Sequence, residues 1–94
     1  MNRQVMLEHV CHKWNVTAED IAGPSMDRHV SLARQCYIYL LRENGLKYRE
    51  VSLAVNRHHS TVMYAHQRIK RLALLRPNFA AWLGRVQLAS RAAA

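Results

Sequence analysis

Apolar side chains recur three and four positions apart through most of this chain, and the strict alternation that marks a half-buried strand is absent. Leu7, Val10, Cys11 and Trp14 share one side of a helix predicted over residues 4–14, with Glu8, His12 and Lys13 opposite. Asn15 and Val16 break that pattern. Thr17-Ala18-Glu19-Asp20 then reads as a capping box, the Thr17 hydroxyl meeting the Asp20 amide, and opens a short helix to about Ala22. Gly23-Pro24-Ser25 ends it, because proline lacks the amide donor and disfavours helical geometry in the residue before it. From Asp27 to Glu43 runs the most apolar segment, with Cys36, Tyr37, Ile38, Tyr39, Leu40 and Leu41 consecutive, so this helix is predicted to be a central pillar contacted on several sides. Asp27 is its candidate N-cap, with Arg28 or Ser31 as other starting points, and Asn44-Gly45 closes it.

The next stretch, residues 47–75, has the form of a helix, a tight turn and a longer helix. Val51, Ala54 and Val55 share a face of the first, about Lys47 to Val55. After a turn at Asn56 to His59, Val62, Ala65, Ile69 and Leu72 line the inner side of a helix over about Ser60 to Leu75. Thr61, Tyr64, Arg68 and Arg71 fall on its other side. Arg76-Pro77 marks a further break, and Phe79, Trp82, Leu83 and Val86 give a last helix, residues 77–90, its apolar face. Phe79 and Trp82 are expected in the core, since two exposed aromatics would make an unusual apolar patch. Residues 91–94 are expected to fray. The chain thus reads as one all-α domain of about six helices around a helix-turn-helix.

Charge sharpens this picture. The 94 residues carry a formal net charge of +8, and every acidic residue lies at or before Glu50. Beyond it stand Arg57, Arg68, Lys70, Arg71, Arg76, Arg85 and Arg91 with no carboxylate among them, a one-signed field that favours a polyanion. Cys11 and Cys36 lie in apolar helical runs and are read as buried free thiols. There is no membrane-spanning run and no signal-peptide core, so a cytoplasmic, nucleoid-associated protein is expected. The histidines, His58, His59 and His66 in particular, lack the spacing of a zinc site, and no nucleophile, base and orienting acid stand in a recognisable arrangement. Neither an enzyme nor a metal or other cofactor is expected.

The segment Asn56-Arg57-His58-His59-Ser60-Thr61-Val62 resembles the Gly-Arg-Asp-His-Thr-Thr-Val signature of the C-terminal DNA-binding domain of the bacterial replication initiator DnaA. The similarity extends to Val16 through Ile21, to Ala33-Arg34-Gln35, where the family has proline in place of Ala33, and to Leu46 through Ala54, covering roughly residues 4–75. The resemblance implies a six-helix, initiator or Trp-repressor-like domain that reads an asymmetric site in duplex DNA as a monomer, by a signature segment in the major groove and a basic loop in the minor groove. Base contacts are then expected from Arg57, His58, His59 and Ser60, and backbone or minor-groove contacts from Arg28, Arg34, Gln35, Lys47, Thr61, Tyr64 and Arg68. Tyr64 could equally be half buried against the preceding helix. His58 stands where the family has aspartate, which exchanges an acceptor for cytosine against a donor to guanine. The basic loop is here Gly23 to Arg28, with Arg28 its one cation.

No phosphate loop is present, so the expectation is a DNA reader without the ATPase, regulating replication initiation or transcription by occupying a site and serving a replication or transcription protein. Two other readings keep the fold: a dimeric helix-turn-helix repressor on a palindromic operator, and an interaction adaptor that presents Phe79 or Trp82 from the last helix.

Overall fold

Residues close by in sequence set most of the helix ends. The computed structural model describes residues 1–93 and places α1 (Arg3–Trp14), α2 (Ala18–Ala22), α3 (Arg28–Glu43), α4 (Tyr48–Val55), α5 (His59–Leu75) and α6 (Pro77–Ala92), with no strand among those residues. Three helices stop by one device. Asn15, Gly45 and Asn56 adopt left-handed backbone at φ 53°, 92° and 55°. The amide of the following residue then reaches five positions back, Val16 to Cys11 O (3.0 Å), Leu46 to Leu41 O (3.2 Å) and Arg57 to Ser52 O (3.1 Å). In the first two cases that following residue is apolar and buried. In the third it is Arg57, which is half-buried.

Helix starts follow the sequence with one correction. The Thr17 hydroxyl accepts from the Asp20 amide at 3.1 Å while the Asp20 carboxylate accepts from the Thr17 amide at 3.0 Å, the expected capping box. Asn2 caps α1 by accepting from the Val5 amide. Asp27 does precede α3, but its carboxylate makes no capping bond; its amide donates instead to Ser25 Oγ at 3.3 Å.

The pillar is α3, against which α1, α2, α4 and α5 all pack, while α6 closes the structure across α1 and α5. Val30, Ala33, Cys36, Tyr37, Ile38, Leu40 and Leu41 are buried along it, and only Tyr39 of the apolar run is half exposed. Met6 and Val10 are the deepest residues of α1, so its buried stripe is turned from the predicted one, with Leu7, Cys11 and Trp14 partly covered. From α5, Val62, Ala65 and Ile69 enter the core as predicted, with Leu72 half buried.

Two placements depart from the pattern. His66, on the edge of the α5 inner stripe, is buried, and its Nε2 lies 2.9 Å from Glu43 Oε2 across the α3–α5 seam. The C-terminal segment is tied down through Ala93: Ser90 Oγ accepts from the Asn2 amide (2.8 Å) and donates to Asn2 O (3.0 Å), and Asn2 Nδ2 reaches Ala93 O. The helix thus continues to Ala92 and Ala93 has a partner that hydropathy did not show; Ala94 lies outside the described residues.

Two tests follow from the packing. A Cβ on Gly23 would lie 2.7 Å from the Glu19 carbonyl, so Gly23→Ala is expected to lose about 1–3 kcal/mol in urea unfolding. A Cβ on Gly84 meets nothing within 4 Å in mid-helix, and Gly84→Ala is expected to gain about 0.5–1 kcal/mol. Burial raises the Cys36 thiol from its ordinary 9.0 to about 12. A raised thiol pKa contributes stability below pH 9 that is lost as pH climbs from 9.0 toward 12. In the native protein Cys36 is expected to resist an aromatic disulfide reagent, and to react once the chain is unfolded; prompt native-state reaction at Cys36 would contradict this burial.

Candidate nucleic-acid interface

Two arginines build the scaffold on which the site sits. Arg34, from α3, is 4% exposed, and its Nε donates to Ile21 O at 2.7 Å. Its Nη2 donates to the carbonyls of Asp20 (2.9 Å), Ser25 (3.0 Å) and Gly23 (3.2 Å). Arg57, in the turn between α4 and α5, donates from Nη2 to the same Gly23 carbonyl at 2.7 Å, and from Nη1 to Asn56 O and Val55 O. Gly23 is therefore the point where the α2–α3 loop is joined to the helix-turn-helix. A planar guanidinium suits this work because its fixed fork serves several carbonyls at once. Burial and then the neighbouring Arg57 lower the Arg34 pKa, but a guanidinium remains charged in any ordinary solution.

This geometry bears on two of the expected contacts. Arg34, expected on the DNA backbone, is spent on loop carbonyls inside the protein. Arg57, expected at bases, turns its two terminal nitrogens inward at the position where the other two helix stops carry an apolar residue. Arg34 is buried beneath the surface, whereas Arg57 is half-buried and borders both the crevice beside Thr61 and the cleft beside His58 and His59.

Above the scaffold, the turn delivers the start of α5. His58 is its N-cap: Nδ1 accepts from the Ser60 amide at 3.2 Å and lies 2.9 Å from Ser60 Oγ. Accepting at Nδ1 assigns the neutral ring's proton to Nε2, which remains free to donate. A carboxylate at this position could cap in the same way, so the exchange of aspartate for histidine preserves the helix start while changing what faces outward. The His59 ring lies against that of His58, with centroids 4.3 Å apart.

His59, Ser60 and Thr61 are exposed, and Tyr64, left open between surface and core, is 60% exposed. At 100° per residue, Ser60, Tyr64, Gln67 and Arg71 form the stripe opposite the buried one. Gln67 was not singled out in the sequence, although it stands one turn beyond Tyr64 at the same periodicity. Arg49 was also missed: it shares a surface cleft with Tyr48, Ser52, His58 and His59, a neighbourhood only the α4–α5 crossing creates.

The remaining candidates divide. Thr61 and Gln35 border one small crevice with Ser31, Met26 and Arg57. Arg68 Nη1 donates to Gln35 Oε1 at 2.7 Å, joining two predicted backbone-contacting residues to each other on the α3–α5 seam. Lys47 is the exposed N-cap residue of α4, where its amide donates to Glu50 Oε1. Arg28 is exposed at the first residue of α3 beside Met26, which is 77% exposed. No side-chain hydrogen bond or carboxylate partner holds Arg28, Lys47, Arg49 or Arg71 among the described residues. Among those residues, no group of three or more His, Cys, Asp or Glu side chains is placed to hold a metal ion, and no helix is long and apolar enough to cross a membrane.

A pillar helix, a short helix, a tight left-handed turn and a longer helix with a polar outer stripe together define a helix-turn-helix domain. The family described as the bacterial DnaA protein helix-turn-helix matches residues 4–69, and the chain belongs to that family. The chromosomal replication initiator protein DnaA of Gloeobacter violaceus is 36% identical over 80 residues, covering 79% of this chain and 17% of its own length. The DnaA proteins of Crocosphaera subtropica, 32% identical over 71 residues, and Clavibacter michiganensis, 36% over 69 residues, cover 73% and 71% of this chain and 16% and 14% of their own lengths. The chain thus spans less than a fifth of these relatives.

If Arg34 holds the α2–α3 loop as its bonds indicate, Arg34→Met takes a donor from four carbonyls, of which Gly23 keeps Arg57 and Asp20 keeps the Gly23 amide, and is expected to cost about 2–5 kcal/mol in denaturant unfolding. Arg34→Lys keeps the charge without the fork and is expected to recover less than half of that loss. Equal stability of Met, Lys and parent proteins would contradict the clamp.

Proposed function

We propose that this chain binds duplex DNA sequence-specifically, laying the first turns of α5 in the major groove and regulating replication initiation or transcription by occupying its site. The observation that carries this reading is the set of polar side chains left exposed, His59, Ser60, Thr61, Tyr64 and Gln67, on a helix whose other side is fixed in the core. Ser60 and His59 stand at the start of the helix, where side chains of a groove-bound helix reach base edges first. Nε2 of His58 adds a donor beside them. Thr61, Tyr64, Lys47, Arg28, Arg49 and Arg71 then serve phosphates, while Gln35 and Arg68 hold the flank.

Membership of the DnaA family supports this assignment, as does the absence of any carboxylate from residues 51–94. Arg34 leaves the contact set because its donors are engaged inside the protein, while Arg57, half-buried in the cleft with His58 and His59, stays in it. The expected site is an asymmetric one read by a monomer, in keeping with the resemblance to the initiator family.

The test is selection of bound sequences from a random duplex pool, followed by titration of the enriched site at several salt concentrations. His59→Ala and Ser60→Ala are expected to change which base is preferred, at about 1–3 kcal/mol of discrimination for a well-formed contact. Arg71→Ala and Lys47→Ala are expected to weaken all sequences alike and to reduce the salt slope by about one each. A pool that yields no enrichment at low salt, or base preferences unchanged by both alanine variants, would overturn the reading.

A further inference from the structure

The far end of α5, about 22 Å along the helix from Ser60 at 1.5 Å per residue, carries a second surface that the DNA reading does not use. There α5, α6 and the end of α1 enclose a cleft of about 760 Å³. Its walls are Leu72, Leu75, Phe79 and Trp82, and its rim holds Lys13, Arg76 and Arg85. Of these residues only Lys13, on the exposed face of α1, lies within the matched segment 4–69; the others lie beyond it. Phe79 and Trp82, expected in the core, are only partly covered, and Leu75 is 77% exposed.

Two properties identify what fits. The first is unspent charge. Arg34, Arg42, Arg57 and Arg68 all donate to carbonyls or to Gln35. Among the described residues the one basic side chain within reach of a carboxylate is His66, against Glu43, so Lys13, Arg76 and Arg85 have no carboxylate partner, and no acid lines the cleft. The second is how the aromatic rings are already engaged. Lys13 Nζ sits 4.7 Å from the Trp82 ring centroid, Trp14 meets that ring edge-on at 5.4 Å, and Phe79 lies nearly parallel to it at 6.1 Å. With these neighbours Trp82 offers little free face for a nucleobase to stack on, whereas exposed leucine beside free cations suits aliphatic side chains flanked by carboxylates.

We infer that this cleft docks an acidic amphipathic segment of a partner protein, its Leu or Phe side chains seated on Leu75 and Phe79 and its Asp or Glu side chains paired with Lys13, Arg76 and Arg85. The cleft is separate from the start of α5, so the partner and DNA can bind at once. Occupancy of a DNA site would then deliver that partner to it.

The experiment is selection of a random peptide library displayed on phage against the whole protein, with counter-selection on a Leu75→Ser, Arg76→Glu, Arg85→Glu variant. All three positions are exposed, and the circular dichroism melt of the variant is compared with that of the parent. Enriched peptides are expected to combine Asp or Glu with Leu or Phe. Binding of a synthetic enriched peptide is expected to change the tryptophan fluorescence, since Trp82 lines the cleft and Trp14 stands edge-on to the Trp82 ring. The variant is expected to bind that peptide at least about tenfold more weakly, ~1.4 kcal/mol. Each single substitution, Leu75→Ser or Arg85→Glu, is expected to weaken it as well, which keeps the test valid should the triple variant fold poorly. Failure to enrich over the variant, enrichment of basic or uncharged sequences, or binding unaffected by replacing the peptide's Leu and Phe with Ser would overturn the proposal. Tighter binding of an oligothymidylate than of any enriched peptide, lost in the same variants, would overturn it in favour of single-stranded nucleic acid.

Discussion

One carbonyl group, that of Gly23, is shared by two guanidinium groups from different parts of the chain, and the geometry of the recognition surface depends on this junction. Arg34 reaches it from the pillar and Arg57 from the helix-turn-helix, so the loop after α2 and the turn before α5 are held as one piece. Backbone carbonyls withdrawn from water must find donors, and a short loop has few of its own. Supplying those donors from arginine adds long-range order at a place where helix packing alone would leave two loops independent. The close approach of Gly23 to the Glu19 carbonyl leaves no room for a side chain, which makes the junction specific to glycine.

The same arrangement divides the basic residues by task. Arginines with carbonyl partners build the frame, and cations without partners form the field that faces outward. Net charge alone does not make this distinction. A basic chain without acids in its C-terminal half can spend several arginines internally and still present two separate positive surfaces, one at the start of α5 and one at its end. The first is polar and suits a duplex; the second is apolar with a charged rim.

How much of this the sequence discloses depends on how local the cause is. The Thr17–Asp20 capping box, the stop at Gly45 and the core stripe of α5 are fixed by residues within one or two turns of one another, and they are legible in the order of residues. The six helices and their helix-turn-helix follow from the same periodicity. The roles of Arg34 and Arg57 are not legible, because their carbonyl partners lie up to 34 residues away and a buried arginine looks the same in sequence as an exposed one. His66 reads as polar, yet Glu43, 23 residues earlier, makes its burial possible. Arg49 joins the site only because α4 crosses the start of α5, and the end of α6 is tied through Ser90 and Ala93 to Asn2 at the opposite end of the chain. Resemblance to a family supplied the candidate positions, but it could not say which side chains are free to touch a ligand.

The account rests on α5 being offered to DNA by a frame of internal arginine bonds. Its most direct test is the amide NMR spectrum of the isotope-labelled protein, recorded with and without a duplex enriched from a random pool. The account predicts that the resonances of His59 through Tyr64 and of the Gly23 to Arg28 loop shift together on binding, while those of Phe79 to Arg85 in α6 stay in place. Shifts confined to α6, or an undisturbed start of α5 in the presence of saturating duplex, would contradict it.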